Sequence, residues 1–370
     1  MRRIVMSIGL AVLMWTTVFA LELQLVCRLS TGGAPKSVEI TPDGRFAYVC
    51  NLEGGSVWKY DVENRKVVKK IVFHRTPATG YDYKTKKPIP SFAEKPVECA
   101  FTDGGKRVWI SLHNAEEVVV YCDTCDTCEV REGRRVRVYD LVDGTSREMY
   151  LRSIKVGKTP KIVCSSPDNM WVYVANWHSD NVSVIDARTY EVVKTIPVVR
   201  IPRGIVFSQD GKFAYIANMG SVFATKVDVK SGHRKVKNIK VGVNPRHLRI
   251  SPDGRYLYAT LNIPGRFVKV DLETSRVVGD IPIGKKPRGM VLSKDGKFAF
   301  VGLYDEDSLA VVDLSGMKVL YKVPTGHKPI GIAITPDGKE LWVTNYFENT
   351  LFIYRIAPSA APSEPVGSKE

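Results

Sequence analysis

Five cations recur at one place in a repeated pattern: Lys36, Lys161, Arg203, Arg246 and Arg288 each directly follow a proline. Seven prolines share this setting, Pro35, Pro96, Pro160, Pro202, Pro245, Pro287 and Pro329, and only Val97 and Ile330 interrupt the basic series. Like charges brought to one spot raise each other's energy unless an anion offsets them. The chemistry this suggests is capture of a carboxylate, a phosphate or an acidic peptide. The competing reading is that these side chains splay outward or pair with acids such as Glu98. The cysteines offer a second chemistry. Cys122, Cys125 and Cys128 sit at two-residue intervals beside Asp123 and Asp126, which suits a local disulfide, redox-labile thiols or a soft-metal loop. No fourth ligand lies nearby, and disulfide or thiol chemistry is the preferred reading. Cys27, Cys50, Cys99 and Cys164 fall inside apolar strands and read as small core residues.

The elements that position these groups repeat along the chain. Turn signals recur at Asp43, Asp103, Asp168, Asp210, Asp253, Asp295 and Asp337, the last five separated by 42, 43, 42 and 42 residues. An aromatic-apolar run follows each turn, as in Phe213–Ala217, and each proline precedes its turn by about eight residues. An Asp closes the third strand at Asp61, Asp140, Asp186, Asp228, Asp271 and Asp313. Asp253-Gly254 reads as a two-residue hairpin turn, with glycine supplying positive φ. A period near 42 with short alternating strands predicts propeller blades, and there are seven units.

Tyr173-Val-Ala-Asn176 and Trp342-Val-Thr-Asn345 resemble the motif of the YVTN-type seven-bladed β-propellers, which include YncE-like and surface-layer-like exported proteins. The resemblance covers roughly residues 22–356. It implies an all-β fold of four-stranded antiparallel blades. It leaves function open, because binding proteins, surface proteins, lyases, lactonases and haem-binding domains share this fold. The last repeat ends after three strands, so Leu21–Gly32 is expected to supply the missing outer strand and close the ring.

In such a ring the residues after the prolines surround one mouth of the central channel. The positions just after each second strand, Leu52, His113, Trp177, Met219, Asn262, Tyr304 and Tyr346, fall on the same side. His178 and His247 join them, and with His74 and His327 five of the six histidines lie near one face. The expected ligand-binding set is Lys36, Lys161, Arg203, Arg246, Arg288, His113, Trp177, His178, His247, Tyr304 and Tyr346. No HxH or HExxH spacing names a metal site. The resemblance extends to the haem-d1-binding propeller of nitrite reductases, which implies His113 or His178 as a ligand and the basic ring around haem carboxylates. No C-x-x-C-H site accompanies it, and no cofactor is expected. Catalytic residues are not identifiable. The absence of a G-x-S-x-G elbow, a P-loop and a G-x-G-x-x-G fingerprint argues against common hydrolase, NTPase and dehydrogenase chemistry.

Two insertions break the period. Phe73–Glu94 lengthens the connection between the first two blades, and its Pro, Gly and aromatic content predicts an ordered excursion over one face. The second insertion carries the cysteine cluster between Trp109 and Asp140; it extends either the second-to-third-strand loop or the third-to-fourth turn, which would place it on opposite faces. Residues 1–20, with Arg2 and Arg3 before an apolar run, read as a signal peptide, and residues 357–370 as a Pro-rich disordered tail. The expected location is a bacterial periplasm or cell surface, with no transmembrane segment after cleavage. Net charge is +15, or +13 without Arg2 and Arg3. This surplus favours an anionic small molecule, an acidic peptide or a cell-envelope component, ahead of nucleic acid. Together these features predict an exported binding scaffold, with an enzyme or cofactor carrier as the alternative.

Overall fold

A computed structural model describes residues 21–81, 87–123 and 129–358, and these form a seven-bladed β-propeller. Blades 3 to 6 are four-stranded antiparallel sheets in simple sequential order. In blade 5 the strands are Pro245–Ile250, Tyr256–Leu261, Arg266–Asp271 and Arg276–Pro282. The second and third strands are buried on both faces, because each blade is covered by a neighbour on either side. That is why runs such as Phe213–Asn218 read as continuous apolar stretches.

The ring closes as expected. Leu21–Ser30 pairs antiparallel with Thr350–Pro358, so the seventh blade takes its outer strand from the start of the chain. Leu23 buries its side chain in the blade 6 and 7 core, and Tyr60 of blade 1 donates a hydrogen bond to the Ser30 carbonyl at 2.8 Å.

The motif asparagines have a local task. Asn176 Nδ2 donates to Asn181 Oδ1 and to Ser183 Oγ, each at 2.8 Å, and Asn345 Nδ2 donates to Thr350 Oγ1 at 3.1 Å. Each amide thus ties the end of a second strand to the third strand, and both asparagines are fully buried. Backbone approach at the axis is close enough to dictate glycine. A Cβ on Gly289 would lie 2.6 Å from the Ile330 carbonyl oxygen, and one on Gly331 would lie 2.7 Å from the Ser37 Cα.

Two readings need correction. Asp253-Gly254 is part of a five-residue connection from Ser251 to Arg255. There Pro252 and Asp253 form a turn closed by Gly254 N–H donating to Ser251 O at 2.8 Å, with Gly254 at φ +73°. Ser251 Oγ caps the next strand by accepting from Tyr256 N, which a two-residue hairpin has no room for. Asp140 does not close a third strand. In blade 2 that strand is Glu117–Cys122, and Cys122, paired with Arg107, holds the equivalent place. Asp140 ends an extra strand, Glu129–Asp140, wedged between the outer strands of blades 1 and 2 and fusing them into one nine-stranded sheet.

That extra strand settles the second insertion: it follows the third strand of blade 2. Cys122 is buried at the end of that strand, whereas Cys125 and Cys128 lie outside the described residues. Cys27, Cys50, Cys99 and Cys164 are free thiols, and Cys50 and Cys99 are buried in the blade 1 and 2 core. The first insertion forms a two-stranded ribbon, Pro77–Tyr81 with Pro88–Phe92. Asn114 Nδ2 donates to the Phe92 carbonyl at 3.0 Å and Arg75 to the Glu53 carbonyl at 3.1 Å, so the ribbon base rests on the second-to-third-strand loops of blades 1 and 2. The expected signal peptide and almost all of the expected tail fall outside the described residues. Among the described residues no helix is long and apolar enough to cross a membrane.

Candidate functional site

The channel mouth is built by one backbone device used in every blade. The residue before each repeated proline offers its carbonyl to the first N–H after the second strand of the same blade. The pairs are Leu52 to Ala34, His113 to Lys95, Trp177 to Thr159, Met219 to Ile201, Asn262 to Asn244, Tyr304 to Lys286 and Tyr346 to Lys328, at 2.8–3.2 Å. Six of these pre-proline residues, all but Lys95, take a left-handed backbone, for example Ala34 at φ +54° and Lys328 at φ +61°. A following proline disfavours the right-handed helical region, and the carbonyl bond holds the unusual alternative in place. The inner strand therefore starts at a fixed angle, and four of the residues after the prolines meet aromatic or soft residues that follow the second strands.

The meetings are specific. The Lys161 ammonium lies 4.7 Å from the Trp177 ring centre, Lys36 lies 5.0 Å from Tyr346, and the Arg288 guanidinium 4.3 Å from Tyr304. Arg246 approaches the Met219 sulfur at 3.6 Å. Lys36 and Tyr346 belong to blades 1 and 7, so this pair also spans the closure of the ring. A cation over an aromatic face keeps an attractive partner while its charge stays available to a third group.

Lys36, Arg203, Arg246, Arg288 and His247 line one narrow cavity of about 30 Å³ on the axis, together with Glu39 and Glu98. Such a volume has room for about one water molecule. Burial lowers the Lys36 pKa well below its ordinary value, and Arg203, Lys161, Arg246 and Arg288 lower it further. Lys161 shifts the same way, through burial and then Arg203, Arg246 and Lys95. The ring is thus enclosed and self-repelling. Burial, followed by Arg249, Arg203 and Arg246, holds His247 neutral. His113 is also kept neutral, by burial and then Lys161, with Nδ1 2.6 Å from Asn114 Oδ1.

Below the ring the carboxyls behave in the opposite way. Burial raises the pKa of Glu39 and of Glu98, and Glu39 hydrogen-bonds Glu98. A shared proton is the stable state of two enclosed carboxyls, so the pair does not neutralise the ring as two full charges would.

Of the residues singled out in the sequence, Lys36, Arg203, Arg246, Arg288 and His247 line the axial cavity. Lys161, Trp177, Tyr304 and Tyr346 stand with them through the contacts above. The remaining histidines scatter. His178 stacks on Trp177 and pairs with Thr159 Oγ1 at 2.7 Å. His327 pairs with Asp307 and His74 with Glu148 on exposed surface. Among the described residues no group of three His, Cys, Asp or Glu could hold a metal.

Glu39 and Arg249 were missed as site residues by pattern reading. A signal was present: the fifth position of the inner strand holds Glu39, Ala100, Cys164, Val206, Arg249, Val291 and Ala333, and only these two are charged.

Comparison with known proteins agrees with this architecture. The family model for YncE-like β-propellers matches residues 138–323, half of the chain. The chain belongs to the YncE-like β-propeller family. Antigen Lp49 of Leptospira interrogans is 26% identical over 304 residues, which is 69% of this chain and 59% of the antigen. Protein NirF of Pseudomonas aeruginosa is 29% identical over 129 residues, 31% of this chain and 33% of NirF. The aligned part thus falls short of two thirds of either relative's length. Among solved structures, hydrazine synthase of Kuenenia stuttgartiensis superposes with a TM-score of 0.68 at 21% identity, covering 90% of this chain and 98% of that one. That likeness is one of fold.

Proposed function

We propose that this YncE-like propeller is an exported binding scaffold, periplasmic or on the cell surface, that seats an anionic group at the cationic channel mouth. The observation that carries the reading is the enclosure of Lys36 and Lys161 among Arg203, Arg246 and Arg288, with both lysines driven toward neutrality. A structure that gathers cations at such a cost gains when an anion arrives. A cavity of about 30 Å³ would take one oxygen of a carboxylate or phosphate head placed over the mouth. The body of the ligand would then lie over Trp177, Tyr304 and Tyr346. The partner class is an anionic small molecule, an acidic peptide or an envelope component.

The test is calorimetric titration with citrate and with pyrophosphate. Arg203→Ala combined with Arg246→Ala should weaken binding about tenfold or more and flatten its salt dependence. Unchanged affinity would sink the proposal. Binding should also take up protons, because an anion raises the pKa of Lys36 and Lys161; heats independent of the buffer's ionisation enthalpy would count against the role of the lysines. A second reading, chemistry on the bound anion, draws on one observation: the carboxyl proton of Glu39 and neutral His247 face the same cavity, an acid beside a base. Citrate or pyrophosphate recovered with altered mass after incubation would favour it.

A further inference from the structure

The channel widens again at its other end. Where the inner strands finish, a second cavity of about 310 Å³ opens between blades 1, 5, 6 and 7, with a residue of the blade 4 turn at its edge. We propose that this lower mouth is a separate binding site for a small monocarboxylic acid with an apolar body, aromatic or branched, held by Arg249 and Gln209. Its volume is at the lower end of the range for small-molecule sites.

Departures from the repeat carry the argument. At the fifth inner-strand position five of seven blades place an uncharged residue, whereas blade 5 places Arg249 in the cavity wall. In the turn that follows, four blades carry a proline at one position, Pro42, Pro167, Pro252 and Pro336, whereas blade 4 carries Gln209. These two departures, on adjacent blades, line the same cavity. The repeat needs neither of them to fold, since its other copies do without. Arg249 uses Nη1 to donate to the Leu248 carbonyl at 2.9 Å. A guanidinium has five N–H groups, so donors remain for a carboxylate.

The rest of the wall is apolar. Ile40, Ile250, Leu292 and Ile334, from the sixth inner-strand position of four blades, form a greasy collar around the polar pair. An anchor on one side and hydrocarbon on the others suit an amphipathic acid rather than phosphate. Glu39, the one carboxyl in the wall, holds a proton because burial and Glu98 raise its pKa. The local charge is then set by Arg249, which favours a single negative charge. Glu39 and Ile332 line both cavities, but the upper one has room for about one water, so an organic acid cannot pass between them. The two mouths are therefore distinct sites.

The experiment is titration of the intact protein with 4-fluorobenzoate followed by fluorine NMR, with 4-fluorobenzyl alcohol as the uncharged control. Saturable binding of the acid is expected, with the alcohol much weaker. Arg249→Leu should weaken it about tenfold or more, the loss of a charge-assisted pair. Gln209→Pro, a residue that four other turns already accommodate, should weaken it severalfold while the melting temperature stays put. Arg203→Ala with Arg246→Ala should leave it within about twofold, whatever that variant does to citrate. No saturable binding to the parent protein would overturn the proposal. So would equal binding in Arg249→Leu and Gln209→Pro, or loss confined to the rim variant.

Discussion

Glu39, on the inner strand of blade 1, hydrogen-bonds Glu98, on the inner strand of blade 2, directly beneath a ring of cations. Five basic residues converge at this mouth, yet the two acids nearest them share a proton instead of ionising fully. Burial is the larger influence on both, ahead of any neighbouring charge. The enclosed channel disfavours every charge within it, positive or negative. It follows that the channel is under electrostatic stress and that its charges respond to what binds there.

This pair sets a pH dependence whose sign can be stated. The Glu39 pKa is raised to about 8 in the folded chain, so between the ordinary carboxylate range and about 8 the folded state holds a proton that the unfolded state has released. Stability from this group is complete at low pH and declines as pH rises through that window. Glu39→Gln keeps a hydrogen-bond donor and removes the titration. Its unfolding free energy, from denaturant titration, should match the parent's near pH 5 and exceed it at pH 8 by on the order of 1–2 kcal/mol. A difference that shrinks with rising pH would refute the assignment.

Lys36 should trade stability for binding. Replacing it by Met keeps an unbranched side chain against Tyr346 and removes a buried charge that Arg203, Lys161, Arg246 and Arg288 all repel. Lys36→Met should raise the unfolding free energy by on the order of 1 kcal/mol while weakening citrate binding. A variant that loses stability would mean that Lys36 is well accommodated and that the stress lies elsewhere.

The closing strand predicts a defect of a different kind. Deleting Leu21–Ser30 leaves the edge of Thr350–Pro358 unpaired and uncovers the apolar core around Leu23. An exposed, apolar sheet edge recruits other chains. The truncated protein should elute as oligomers or aggregates on size exclusion and melt earlier. A monomer with the parent's melting temperature would show that closure is dispensable.

Arg134, on the extra strand, bridges two buried acids, Glu94 at the base of the ribbon at 2.7 Å and Glu117 of blade 2 at 2.5 Å. Glu94 in turn accepts from Thr76 N–H at 2.8 Å, so one guanidinium ties both insertions to the blade. Arg134→Met removes one partner from each carboxylate, Glu117 keeping Lys155 at 2.6 Å and Glu94 the Thr76 N–H, and should cost about 1–3 kcal/mol. Limited proteolysis should then cut the ribbon well before the blades unfold. Protection of the ribbon equal to the parent's would remove Arg134 from this role.

The blade count, the order of strands and the closing strand were legible because each follows from local pattern. A period near 42, alternating apolar runs and an Asp or Gly at each turn depend only on neighbours in sequence. The cations at the mouth were legible for the same reason, since a fixed offset from proline is a local property. The histidines were legible only as neighbours in register: His247 lines the axial cavity, whereas His74 and His327 are exposed and pair with Glu148 and Asp307. The extra strand was not placed: Ser146–Leu151 follows it closely as a hairpin partner, but its other partner, Lys69–Phe73, belongs to blade 1.

By itself, then, the sequence determined a seven-unit propeller with a basic, aromatic set of residues after its prolines, because secondary structure and repeat register are encoded within each unit. Tertiary structure alone decided which charges face one another. Glu39 and Glu98 are 59 positions apart in the chain, and no pattern within a blade records that they share a proton. The depressed pKa of Lys36, the pairing of Lys36 with Tyr346 across the closure and the lower cavity beside Arg249 have the same origin. Burial and Coulomb interaction depend on distance in space, and only the closed ring fixes those distances.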